Sequence, residues 1–135
     1  MRMAPRTLLI ALIMTGAAAC LPPRSGPALH AVQLDRLYFG RNIGDTAVVS
    51  DSAWRAFIRE EFTPAFPEGA TIWEAAGQWR GADGRVIREP SVVVEFLHPA
   101  SADAEARVRR VMDAYKKRFA QEAVLRVVTS VKTSY

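Results

Sequence analysis

Cysteine occurs once and histidine twice in the 135 residues. The single thiol, Cys20, excludes an internal disulfide. His30 falls in a proline-rich stretch, so the rest of the chain has one imidazole, His98, directly before Pro99. Zinc, copper, haem and iron-sulfur centres need clusters of such ligands and are excluded, as is a nucleophile activated by a conventional imidazole triad. The acids do not follow the spacing of a calcium loop. No metal and no cofactor is therefore expected. Strong charge of one sign is missing too: 18 basic residues face 14 acidic ones, and Arg2 and Arg6 belong to an acid-free leader. So small a bias does not point to nucleic acid.

The leader is the most specific local signal. Met1 to Arg6 is short and basic, Thr7 to Met14 is apolar, and Gly16-Ala17-Ala18-Ala19 offers small residues to a signal peptidase. A signal peptide is expected over 1–19. Cys20 follows directly, in the position of the acylated cysteine of a bacterial lipoprotein, although Ala17 stands where that motif usually has Leu. The reading is an exported protein held to the cell envelope by a lipid at Cys20, with release as a soluble exported protein as the alternative. Residues 20–31, rich in Pro and small side chains, read as a flexible tether, and 32–135 as one α+β domain.

Within that domain Val32 to Phe39 reads as a strand, and Gly40-Arg41-Asn42-Ile43-Gly44-Asp45 as the loop that ends it. Arg41 beside the two glycines is a candidate anion ligand. Ser50-Asp51-Ser52 caps a helix with Trp54, Phe57, Ile58 and Phe62 on one stripe, stopped by Pro64. Apolar segments then run into and out of a polar hairpin tip, Gly77 to Pro90. With Asp83-Gly84 as a two-residue turn, Trp73, Ala75, Gly77 and Trp79 share an inward face with Val92, Val94 and Phe96. Glu74, Gln78, Arg80, Glu89, Ser91 and Glu95 then face the other way, and Pro90 interrupts the ladder, pushing the tip onto an exposed rim. A second helix starts at Ser101 or Asp103 and carries Val108, Val111, Met112, Tyr115 and Phe119 at helical spacing, with a basic solvated face. Ala123 to Val131 closes the chain as a strand.

The order strand, helix, strand, strand, helix, strand is that of the ferredoxin-like, split βαβ fold, an antiparallel sheet with two helices on one face. The opposite face of such a sheet must be covered or solvated, and a homodimer through it is expected.

Several segments together resemble one known family. They are Leu37-Tyr38-Phe39-Gly40-Arg41, Val49-Ser50-Asp51 with Trp54, Thr63-Pro64 with Phe66-Pro67-Glu68-Gly69, Gly77-Gln78-Trp79-Arg80, Arg88-Glu89 with Ser91, and Tyr115-Lys116 with Gln121 to Arg126. The chain resembles the domain-of-unknown-function family 3574 from Leu37 to about Val128. That resemblance implies a small exported bacterial protein, often a lipoprotein, and carries no activity.

What remains for chemistry is carboxylate, guanidinium and amide. Glu89, Glu74 or Glu122 is available as an acid or base, Arg80 or Arg88 as an anion clamp, and Gln78 as an orienter. Binding candidates are Arg41, Gln78, Arg80, Arg88 and Glu89. The same groups also read as a salt-bridged brace at the hairpin tip. The leading expectation is a non-enzymatic envelope domain that dimerises through its sheet and binds an unidentified small molecule or envelope protein. The alternative is a small enzyme using Gln78, Arg80 and Glu89 on an acidic or carbonyl substrate, and a purely structural role is the third.

Overall fold

The computed structural model describes residues 26–134. The leader and Cys20 lie outside the described residues, so the lipid-anchor expectation is not addressed by it. A four-stranded sheet is built from β1 (His30–Gly40), β4 (Thr71–Arg80), β5 (Val86–His98) and β6 (Leu125–Thr133), in the spatial order β4-β5-β1-β6. Every neighbouring pair is antiparallel. A small ribbon, β2 (Asn42–Ile43) and β3 (Ala47–Val48), follows β1. β1 starts two residues earlier than the sequence reading placed it, because His30 and Ala31 pair with Thr133 and Lys132 of the last strand.

Helix α1 (Asp51–Phe57) is capped by Ser50, whose hydroxyl accepts from the Ala53 N–H at 3.2 Å. The helical path does not stop at Pro64. A π-helical turn, Ile58–Phe62, widens the coil and hands over to the short α2 (Thr63–Ala65), where Pro64 is in the first turn. Proline lacks an amide and crowds the carbonyl of the preceding turn, and a widened turn absorbs both defects. Helix α3 (Ala102–Phe119) starts at Ser101, whose hydroxyl accepts from the Ala104 N–H, and ends with Ala120 in the left-handed region at φ 50°.

One sheet face and the helices share a single aromatic core. Leu37 and Phe39 of β1 and Val92, Val94 and Phe96 of β5 meet Trp54, Phe57, Phe62, Val108, Val111, Tyr115 and Phe119. Tyr115 is its centre, with ring centroids 4.7 Å from Phe39, 5.0 Å from Phe57 and 4.8 Å from Phe119.

The hairpin differs from its expected register by one residue. The loop is Gly81 to Arg85, closed by the Gly81 N–H donating to the Arg85 carbonyl, and Gly84 takes the positive φ (81°) that a left-handed turn residue needs. Arg80 therefore pairs with Val86, Glu74 with Val92 and Trp73 with Val93. A one-residue change in pairing exchanges the two faces of a strand. Trp73, Ala75, Gly77 and Trp79 consequently join Glu89, Ser91, Val93 and Glu95 on the open face, while Gln78, Arg80 and Arg88 lie on the face that bears the helices. Pro90 does not break β5. Its carbonyl accepts from the Arg41 N–H at 2.9 Å, so its missing amide falls on the β1 side, beyond the last β1 pair, Gly40 with Ser91. Past that pair β5 keeps a ladder partner only in β4, and the segment after β1 touches it through single hydrogen bonds.

Candidate functional site

The open face carries the cavity in which most of the unspent chemistry meets. Alternation along β1 puts Leu34, Arg36, Tyr38 and Gly40 there, opposite the buried Asp35, Leu37 and Phe39. At the end of the sheet nearest the hairpin, a cavity of about 450 Å³ is walled by Tyr38, Trp79, Gln121, Glu122 and Leu125, with Glu89 and Ser91 on its floor. The Glu89 side chain is half-buried, and its Oε2 accepts from the Asn42 backbone N–H at 3.1 Å. Asn42 is fixed in turn from two sides. Its carbonyl accepts from Gln121 Nε2, beyond the end of α3, and its Nδ2 donates to the Arg88 carbonyl at 3.4 Å. Two residues earlier, the Gly40 carbonyl accepts from the Tyr115 hydroxyl at 2.8 Å. Burial pushes the Tyr115 phenol well above its ordinary range, with the Glu89 charge acting in the same direction, so this hydroxyl stays a donor.

Of the residues singled out in the sequence, Gln78 and Glu89 both border this cavity, although their side chains leave β4 and β5 on opposite faces, and Arg80 and Arg88 are not in its lining. Glu89 stands on the open face. Gln78 accepts from Arg88 Nε at 3.1 Å on the opposite face, and Arg80 Nη1 donates to the Gly84 carbonyl at 3.1 Å, bracing its own turn. The joint Gln78–Arg80–Glu89 cluster is therefore corrected: the carboxylate and the two other groups project from opposite sides of the sheet because paired residues one step apart alternate. Arg41 is spent on structure, donating to the Val49 carbonyl and to Asp51 Oδ1 at 2.6 Å. That pairing holds the Asp51 carboxyl below its usual range and closes the loop between β1 and α1. Glu74 lines a separate cleft of about 270 Å³ beside Arg41, Asp51 and Arg55. Glu122 is at the rim of the open-face cavity. Among the described residues no three His, Cys, Asp or Glu side chains converge to hold a metal ion.

A second polar cluster was not foreseen. Asp35 is fully buried, and Arg126 donates to it from Nε at 3.1 Å and Nη2 at 2.8 Å. His98 Nε2 lies 2.7 Å from Asp35 Oδ2 and its Nδ1 lies 2.8 Å from the Pro99 carbonyl. Arg126 also reaches Glu105 of α3, so one guanidinium ties β6 to β1 and to the helix. Burial works against its charge, but the hydrogen bonds to Asp35 and Glu105 hold its pKa above the ordinary value. The missed wall residues, Tyr38, Trp79, Ser91 and Gln121, were legible individually but not as neighbours.

The geometry belongs to a small α+β domain with a carboxylate-floored cavity. The chain belongs to the family described as "Protein of unknown function (DUF3574)", which matches residues 34–135. Among curated proteins none matches. Solved structures share the fold, among them two of a phage SAM lyase. A phage SAM lyase in complex with S-methyl-5'-thioadenosine superposes with a TM-score of 0.61 at 17% identity, covering 85% of this chain and 96% of that one. The phage SAM lyase in its apo state gives 0.60 at 16% identity, covering 78% and 90%. These likenesses overturn the leading expectation of a non-enzymatic domain: the fold is shared, nearly end to end, with an enzyme.

Proposed function

We propose that the chain is a small enzyme that takes a cationic ligand bearing a flat aromatic ring into the open-face cavity, with Glu89 as its acid or base. The observation that carries this reading is the charge of the cavity. Its ionisable lining, apart from the Tyr38 phenol, is Glu89 and Glu122, with no Lys, Arg or His, in a chain whose net charge is +4. A cation entering there meets carboxylates and aromatic walls, both of which favour positive charge. The acidic substrate expected from the sequence has no clamp, since Arg80 and Arg88 project from the other side of the sheet.

A sulfonium nucleoside such as S-adenosylmethionine combines the two required features, and the bound ligand and activity of the structurally similar phage SAM lyase support this substrate class. Tyr38 and Trp79 flank the purine, and Glu89 faces the cationic portion. In the corresponding lyase step Glu89 removes a proton from the carbon next to the one bonded to sulfur. The C–H electron pair becomes a C=C bond and the C–S pair leaves on sulfur. The products are a neutral thioether, an alkene and protonated Glu89, so charge and atoms balance.

The strand order, second-third-first-fourth in chain order among the four long strands with all neighbours antiparallel, supports reading the topology as ferredoxin-like. The leader pattern and the position of Cys20 support an exported, lipid-held location.

The test is incubation of the purified protein with S-adenosylmethionine and chromatographic separation of the products. Wild type is expected to release a 5'-thioadenosine and Glu89→Gln to release at least a hundredfold less, on the order of what general acid-base groups contribute. Equal release by both proteins would remove Glu89 from the chemistry.

A further inference from the structure

Gly40 and Gly77 lie in strands β1 and β4, and neither has the positive φ that would demand glycine, which among the described glycines is found at Gly44, Gly69 and Gly84. A glycine inside a strand is destabilising relative to alanine, and it commonly marks a place where something approaches the backbone closely. Here what approaches is the floor of the cavity. A Cβ on Gly40 would stand 2.5 Å from both Glu89 carboxylate oxygens and 2.6 Å from Glu89 Cδ. A Cβ on Gly77 would overlap Ser91 Oγ and come to 3.6 Å from Glu89 Cγ. The two glycines flank β5 on opposite sides, and the space left by their missing side chains is filled by the two polar groups that face the ligand.

We infer that Gly40 and Gly77 are positioning residues of this site, setting the Glu89 carboxylate and the Ser91 hydroxyl, and that Ser91 is the second polar group to contact the ligand. The inference rests on reading the open-face cavity as the ligand site. The obstructing atoms are the ends of rotatable side chains, so an added methyl group displaces the side chain before it disturbs the strand. In Gly40→Ala the carboxylate swings away from the Asn42 N–H that fixes it. In Gly77→Ala the Ser91 hydroxyl turns to another rotamer. A conservative change at either glycine thus acts on the site while the sheet persists.

The experiment compares the full chain with Gly40→Ala, Gly77→Ala, Glu89→Ala and Ser91→Ala, and with the doubles Gly40→Ala/Glu89→Ala and Gly77→Ala/Ser91→Ala. Three quantities are read: the melting temperature, the Asn42 amide resonance, and the Kd for S-adenosylmethionine. Gly40→Ala is expected to move the Asn42 resonance and to weaken the probe about tenfold, the size of one charge-assisted contact. Added to Glu89→Ala it changes neither, since the shortened side chain leaves room for the methyl. Gly77→Ala likewise has no further effect on the probe once Ser91 is alanine. Equal effects of each glycine substitution in the wild-type and truncated backgrounds would assign the glycines a backbone role and overturn the inference. If wild type does not bind the probe, the proposed ligand class fails, whereas the Gly40–Glu89 coupling in Asn42 resonance and melting temperature still decides the positioning role separately.

Discussion

Arg126 holds Asp35 by two hydrogen bonds, 3.1 Å from Nε and 2.8 Å from Nη2, beneath helix α3. The Asp35 side chain is wholly buried, and the guanidinium is the lid of the cluster at 15% exposure. A buried carboxylate deprived of its permanently charged partner is costly even with His98 Nε2 still 2.7 Å away, so Arg126→Met is expected to destabilise the protein by about 3–5 kcal/mol. The double substitution Asp35→Leu/Arg126→Met removes both charges and is expected to recover most of that loss. Urea denaturation of the three proteins checks it, and a double variant no more stable than the single would show that the pair is not the source.

Acid should weaken the fold in a defined window. Asp51, Glu60, Asp83 and Glu105 all have carboxyl pKa values lowered in the folded state, through Arg41, Arg118, Arg85 and Arg109 with Arg126 respectively. A depressed folded pKa contributes stability that is present above the unfolded value and is lost as pH falls through the folded one. Melting temperature is therefore expected to be flat from neutrality to about pH 5 and to fall below about pH 4. Because these pairs are exposed, added salt should flatten the fall.

Tyr115 gives the fold a dependence on alkali. The folded pKa of Tyr115 is raised by burial, so the unfolded chain loses its proton first. Stability from this group is complete below about pH 10 and declines above it. Tyr115→Phe should abolish that alkaline component. At neutral pH it should cost about 1 kcal/mol, through the lost bond to the Gly40 carbonyl. Thermal melts between pH 8 and 11 separate the two effects.

The N-terminal proposal has its own readout. Cys20→Ser is expected to shift the expressed protein from the membrane to the soluble exported fraction and to lower its mass by the lipid. An unchanged mass and fraction would contradict acylation at this position.

Much of the architecture was legible because it depends on local signals. The stripe of Val108, Val111, Tyr115 and Phe119, the cap at Ser101 and the closing β-branched run all correspond to observed elements. Which way the hairpin faces was not. It depends on whether the loop holds an even or an odd number of residues, and Asp83-Gly84 suits either, so the two faces of β4 were exchanged. Glu89 was recognised as a candidate, but its neighbours come from β1, β4 and the end of α3, which no sequence spacing connects. Gly40 read as a loop glycine and Gly77 as an ordinary strand position. Asp35 escaped notice altogether because an acid in an alternating strand reads as solvent-facing, and its partner Arg126 lies 91 residues away.

The open-face cavity floored by Glu89 is proposed to take a cationic ligand that bears a flat aromatic ring. The most direct measurement is the mapping of amide and side-chain resonances during titration with S-adenosylmethionine. Shifts confined to Tyr38, Gly77, Trp79, Glu89, Ser91 and Gln121, and much weakened in Glu89→Gln, are the predicted result. Shifts centred instead on the cleft of Arg41, Asp51 and Arg55, or no saturable shift at all, would contradict it.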